Sequence, residues 1–288
     1  MEALKQLEQH GFVHLKACVD ANLILSIRDE LGRLFSRPSD YSGDIENHPL
    51  IGSIRMDVMN RHPQFLPLMF HPRILETLRM LLGEDFQYLP ETAAHRGGYG
   101  GWHKDTTSQE RAGHVFHKAP GYRMVQVAIY FQANGEYGGG LDVRPGSHKE
   151  PDQFLDAMDK TFFDKLRTKA RRYNLLPAIF GRRLEGVSLA SRPGDVVIFD
   201  LRLDHKATWP SRKGPIPEDR QKYALFFVAS RRSPQVDDYV RFIAGRPDYV
   251  YLQNYQVSHS LRAAAVSAGI ELAGLTKPQE PARPSGAR

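Results

Sequence analysis

A chain of 288 residues, 41% hydrophobic and 25% charged, with 24 glycines and 19 prolines, carries enough apolar material for one large domain and excludes wholesale disorder or a fibrous repeat. Its single cysteine, Cys18, excludes an intrachain disulfide and a zinc site built from several thiolates, and suits a reducing compartment, so a cytoplasmic location is expected. Thirty-nine Lys and Arg against 33 Asp and Glu leave a net charge of +6, which suits a solvated basic surface and mildly favours an anionic substrate, nucleic acid or an acidic membrane surface, while apolar runs such as 224–229 fall far short of the roughly 20 residues of a membrane helix.

The opening Met1 to Gln6 carries an acid and no apolar core, so no signal peptide is expected. A short β run, Gly11 to Leu15, precedes an amphipathic helix over 20–35, with Leu23, Ile24, Ile27, Leu31 and Leu34 on one face and Asp20 as its cap. A second helix is predicted over 72–82, ended by Gly83. From Phe86 the texture changes to short β-branched and aromatic runs separated by turn residues: 86–89, 124–131, 141–143, 187–189, 196–199 and 223–229. That pattern predicts an all-β core, a sandwich or barrel, with flanking helices. The stretch 152–183 predicts a helical insertion over the barrel mouth, with Phe154, Met158, Phe162, Phe163 and Leu166 on one side and basic residues on the other. A single domain over 1–276 is expected, followed by a disordered tail at 277–288.

Chemistry is suggested by His103-Lys104-Asp105. On an extended strand residues two apart share a face, so the imidazole and the carboxylate converge. With a distant second histidine they would form a 2-His-1-carboxylate face, the arrangement of non-haem Fe(II) oxygenases. With 12 histidines in the chain the tripeptide alone is a weak signal, since about one such match arises by chance. Its context strengthens it. The turn Arg192 to Asp195 feeds an apolar strand that ends shortly before His205, and Arg220 stands at the head of the next apolar run, where a guanidinium could pair with a carboxylate. Arg212 and Lys222 are alternative cations for that place.

Between these pieces lies Gly138-Gly139-Gly140-Leu141-Asp142-Val143-Arg144-Pro145-Gly146-Ser147-His148. Taken with Gly11-Phe12-Val13, Trp102 to Asp105 and Pro193 to Val196, it resembles the phytanoyl-CoA dioxygenase family of Fe(II)/2-oxoglutarate oxygenases, from about residue 11 to about residue 231. The resemblance implies a double-stranded β-helix (jelly-roll, cupin-like). It also implies iron on His103, Asp105 and His205, and 2-oxoglutarate chelating that iron with its far carboxylate on Arg220. Thr208 stands nearest to the family's small hydroxyl residue after the distal histidine, and Gln126 near a position that approaches the co-substrate. Asp105 is present where halogenating relatives carry a small residue, so O2-dependent hydroxylation of an unactivated C–H bond of a small organic substrate is expected.

Two rival readings stand beside this one. Zinc on the same three side chains could activate water in a cupin-like hydrolase with no need of 2-oxoglutarate. A non-enzymatic basic module would rest on the net charge alone, but the aromatic residues are not interleaved with the basic ones as a nucleic-acid platform needs, so no nucleic acid is expected. His148, His114 and His117 are expected in structural or surface roles, and the three glycines 138–140 as a tight turn.

Overall fold

A computed structural model describes residues 2–48, 52–155, 161–175 and 184–274. Eleven strands are present among them: β1 (Phe12–Leu15), β2 (Ile45–His48), β3 (Gly52–Met56), β4 (Gln87–Arg96), β5 (Met124–Tyr130), β6 (Leu141–Val143), β7 (Val187–Ser188), β8 (Val196–Asp200), β9 (His205–Ala207), β10 (Tyr223–Ser230) and β11 (Glu271–Leu272). A large sheet runs β1-β8-β5-β10-β4-β3-β2, with β11 added alongside β4, and a small sheet runs β7-β6-β9. Two sheets enclosing a cavity, with helices on the outside, are the jelly-roll layout with flanking helices that the sequence implied.

The two faces of the large sheet divide the work. On β5, β8 and β10 the residues Val125, Val127, Ile129, Ile198, Leu225 and Phe227 point outward and are buried. They pack under the helices Ala21–Phe35 and Pro72–Leu82, whose Ile24, Ile27, Leu31, Ile74, Leu78 and Leu81 are also buried. Burying such side chains contributes about 2 kcal/mol each and fixes the register, because a slip of one residue would turn this row inward. The first helix starts where expected, Asp20 accepting from the Leu23 amide, and the second ends at Gly83 with a φ of 106°, a conformation suited to glycine.

The inner face is set by the pairing of the central strands. Ala224 of β10 lies opposite His95 of β4 and Tyr130 of β5, Phe226 opposite Ala93 and Ala128, and Gln126 opposite Phe199 of β8. Glu91, Ala93 and His95 therefore share a face with Gln126, Tyr130 and Phe226, and all six line the central cavity.

Two expectations need correction. Asp105 is not on an extended strand: His103 forms a single bridge with His205, and the chain turns at Asp105 into the short helix Thr107–Arg111. In the insertion, the helix Phe162–Arg172 forms, but Phe162 and Phe163 are exposed while Thr168 and Ala170 are buried. It attaches by its C-terminal turn, where the Trp102 amide donates to the Arg172 carbonyl (2.9 Å). The remainder of 152–183 at 156–160 and 176–183, and the tail 277–288, lie outside the described residues.

Candidate metal centre and active site

His103, Asp105 and His205 meet at the inner end of the cavity, each offering one ligand atom within 4.8 Å of the others. The Asp105 Oδ1 stands 3.9 Å from His103 Nε2 and 3.7 Å from His205 Nε2. Local backbone explains the convergence. His103 and His205 exchange both amide-to-carbonyl bonds (3.0 and 2.9 Å), which holds their rings 4.3 Å apart, and the Asp105 amide donates to the Leu201 carbonyl at 3.0 Å. His205 is also paired on its other side with Val143 of β6.

Each imidazole is held in one tautomer. His103 Nδ1 lies 2.8 Å from the Gly101 carbonyl and His205 Nδ1 lies 3.0 Å from the Leu203 carbonyl. A carbonyl only accepts, so both Nδ1 atoms carry the proton and both Nε2 lone pairs face the carboxylate. Asp105 Oδ2 is buried with no hydrogen-bond partner among the described residues. Burial pushes Asp105 up to about 6 and pushes His103 and His205 down to about 4, with the neighbouring His205 ring lowering His103 further. Two neutral nitrogen donors and a carboxylate with an unpartnered oxygen lack only a cation, and that donor set fits a divalent iron ion with open positions.

Behind the ligands the Arg144-Pro145-Gly146-Ser147-His148 turn acts as a clamp. The Ser147 hydroxyl accepts from the Asp204 amide (2.9 Å), the Arg144 amide donates to the Asp204 carbonyl (3.0 Å), and Arg144 pairs with the Asp204 carboxylate. Lys104, between His103 and Asp105, buries its ammonium and donates to the Ser147 (2.5 Å) and Glu150 (2.9 Å) carbonyls. His148 is structural, its ring reaching the Glu8 carbonyl at 3.3 Å, and His117 pairs with Glu110.

The cation expected across the cavity is placed differently from the sequence reading. Arg220 sits in a 3-10 turn before β10, its side chain 53% exposed and paired with Asp219, and it does not line the cavity. Lys222 does. It is 5% exposed, with Nζ donating to the Gly98 carbonyl (2.8 Å), and it faces the same cavity as the metal triad. Burial without a carboxylate partner among the described residues lowers it to about 8. Gln126 lines the cavity as expected. Thr208 does not: its hydroxyl donates to Asp142 (2.6 Å) and accepts from Asn134 (3.1 Å), bracing the small sheet.

The structure adds polar residues that sequence reasoning missed. His95 packs against Phe226 with the rings tilted (4.7 Å between centroids), and burial holds it neutral, near 3. Glu91 accepts from the hydroxyls of both Tyr239 and Tyr249, and burial pushes its carboxyl up. The alternation Glu91-Thr92-Ala93-Ala94-His95 could have flagged two polar residues on one strand face, whereas nothing in the sequence tied Tyr239 and Tyr249 to β4.

The family model for phytanoyl-CoA dioxygenase (PhyH) matches residues 7–209. The chain belongs to the phytanoyl-CoA dioxygenase family. The family is one of Fe/2-oxoglutarate-dependent oxygenases, with iron and 2-oxoglutarate as cofactors, and the triad supplies donors that fit the iron. The ectoine dioxygenase of Streptomyces anulatus is 26% identical over 153 residues, 51% of this chain and 50% of that protein, so the chain spans about half the length of the curated relative it matches. The fold is similar to that of EctD from S. alaskensis, solved with bound Fe (18% identity, TM-score 0.57, 80% of this chain and 76% of that one). It is also similar to the alpha ketoglutarate dependent epimerase SnoN from nogalamycin biosynthesis (17%, TM-score 0.55, 80% and 82%). No helix among the described residues is long and apolar enough to cross a membrane.

Proposed function

We propose that this family member hydroxylates an unactivated C–H bond of a small organic substrate, with His103, Asp105 and His205 holding the iron. The observation that carries this reading is the triad itself: three donors of the right kind, two with their tautomer fixed, in the wall of the central cavity. Iron(II) with 2-oxoglutarate bound supplies the oxidation, in which O2 is consumed, 2-oxoglutarate loses CO2 to become succinate, and one oxygen atom enters the substrate.

The chain's own residues bind, orient and exclude water. Lys222 is the buried cation that would take the far carboxylate of 2-oxoglutarate, in a recess it shares with Tyr130, Leu141 and Phe199. Gln126, beside it on the floor, offers an amide for the co-substrate's inner oxygens. Arg172 and Tyr173, at the end of the insertion helix, stand at the mouth where they can cover a bound substrate.

The test is anaerobic loading with iron and 2-oxoglutarate, addition of candidate substrates with 18O2, and measurement of succinate and product mass. One succinate and one 18O incorporated per turnover is the expected result. Turnover without 2-oxoglutarate, or succinate formed with a product that keeps its composition or loses only hydrogen, would overturn the hydroxylase reading.

A further inference from the structure

We propose that the mouth of the cavity is an anion subsite, so that the substrate carries a carboxylate or phosphate group seated against Arg111 and Arg172 while its apolar part reaches toward the metal triad. The inference deepens the oxygenase reading and rests on it only in calling the ligand a substrate. Both guanidinium groups converge on Phe154: Arg111 Nη2 donates to its carbonyl (3.3 Å), and the Arg172 guanidinium lies 6.0 Å from its ring. Arg172 is further fixed by its Nε donating to the Trp102 carbonyl (3.2 Å), one residue from a metal ligand. Among the described residues neither has a carboxylate within ion-pair distance. The nearby Asp152 spends one oxygen on the Thr107 hydroxyl (2.5 Å) and the other on the Phe154 amide (2.7 Å).

The two like charges repel, and burial together with Arg111 pulls Arg172 below the usual arginine range against the weaker opposing pull of Tyr173 and Asp152. An anion between them relieves both effects, and a planar guanidinium fork suits carboxylate and phosphate oxygens.

A second observation points the same way. Gln109, on the short helix that also carries Arg111, lines the cavity at 1% exposure, and neither its amide nitrogen nor its amide oxygen has a partner among the described residues. A buried primary amide left without partners costs about 1–3 kcal/mol, which a bound polar group would recover. The opposite rim is already neutralised, since Arg246 pairs with Asp248 (3.0 Å) and feels Glu91. The cavity also carries an apolar group, Ile54, Met56, Ala93, Phe226 and Phe242, beside Glu91, His95 and Gln126. The ligand that matches this layout is an amphiphilic acid rather than a neutral or cationic molecule.

The test measures binding of octanoate, octyl phosphate and octanol by calorimetry to the full chain in two forms, iron-loaded under nitrogen with 2-oxoglutarate bound, and metal-free. The anionic probes are expected to bind at least about tenfold more tightly than octanol, the worth of one charge-assisted contact. That preference should vanish in Arg111→Gln/Arg172→Gln and persist in metal-free Lys222→Met, and the tighter of the two anionic probes identifies the group. Arg111 is exposed, so Arg111→Gln alone, which does not threaten the fold, should already lower the preference. Equal binding of octanol, a preference that survives the double substitution, or one that disappears only in Lys222→Met would overturn the proposal. If iron-dependent succinate formation fails while the metal-free chain keeps its anion preference, the oxygenase reading falls and the subsite stands.

Discussion

Replacing Lys222 by methionine separates the co-substrate site from the metal site. Lys222 is a buried cation of the inner cavity, and among the described residues its ammonium donates to the Gly98 carbonyl and lies 5.6 Å from the centre of the Tyr99 ring, with no carboxylate beside it. Removing one member of a buried charge pair costs about 2–5 kcal/mol, so at about 1.4 kcal/mol per factor of ten the Kd for 2-oxoglutarate should rise from roughly 30-fold to several thousand-fold. Iron affinity should change little, because the substitution leaves all three ligands and their hydrogen bonds in place. Stability should not fall either. A lysine lowered from 10.5 to about 8 binds its proton more weakly in the folded than in the unfolded chain. It therefore costs the fold about 3 kcal/mol below pH 8, a cost that fades as pH rises through 10.5. Lys222→Met removes that cost at neutral pH, and urea unfolding should show an equal or higher midpoint. The same proton sets a pH dependence: 2-oxoglutarate affinity in the parent protein should be level below about pH 8 and fall above it, whereas the variant should show no such fall. Anaerobic calorimetry of 2-oxoglutarate against the iron-loaded protein measures each quantity. Unchanged affinity in Lys222→Met together with loss in Arg220→Met would refute the assignment.

Asp105→Asn should abolish stoichiometric iron binding and substrate-dependent succinate formation. In the metal-free chain it should stabilise the fold by about 1–3 kcal/mol near pH 8, because Asp105 is raised to about 6; that gain should shrink as pH falls from 6 toward 4 and vanish only below the unfolded value of 3.8, where the parent carboxyl is protonated in both states. Urea titrations at both pH values check the sign. Thr208→Val should cost about 1 kcal/mol of stability through its lost bonds to Asp142 and Asn134. It should leave 2-oxoglutarate affinity unchanged by calorimetry, and a large loss of affinity would return Thr208 to the co-substrate site. Lys104→Met should destabilise the protein by about 3 kcal/mol, since it strips two carbonyl acceptors of their donor and leaves the buried Asp204 with Arg144 as its remaining countercharge. Circular dichroism in urea reads that loss.

The sheet was legible because its strands carry the period-two pattern of β structure and are bounded by Gly, Pro and Asp. The outward row of Val125, Val127 and Ile129 and the capped helix after Asp20 follow from local rules that act within a few residues. The exposed Phe162 and Phe163 escaped that logic, since helical spacing tells which side chains share a face and not whether anything covers it.

The cation was harder for a related reason. Arg220 and Lys222 have the same parity, and both would face inward if the strand began before residue 220. The chain instead makes a 3-10 turn over Glu218–Arg220, and extended pairing starts at Tyr223, so only Lys222 lies close enough to the strand to inherit its inward direction. Where a strand begins is decided by its neighbours, here Arg96 of β4 opposite Tyr223, and those are far away in sequence.

By itself, then, the order of residues determined the fold class, the family and the three side chains that meet as a candidate metal site, because alternation, turn chemistry and motif order are properties of short stretches. The tertiary structure decided which cation enters the cavity, that Thr208 braces a sheet, and that Glu91 is held by tyrosines about 150 residues away. Those are matters of depth and distance between segments, and they are set by the packing of the whole chain, which no local pattern encodes.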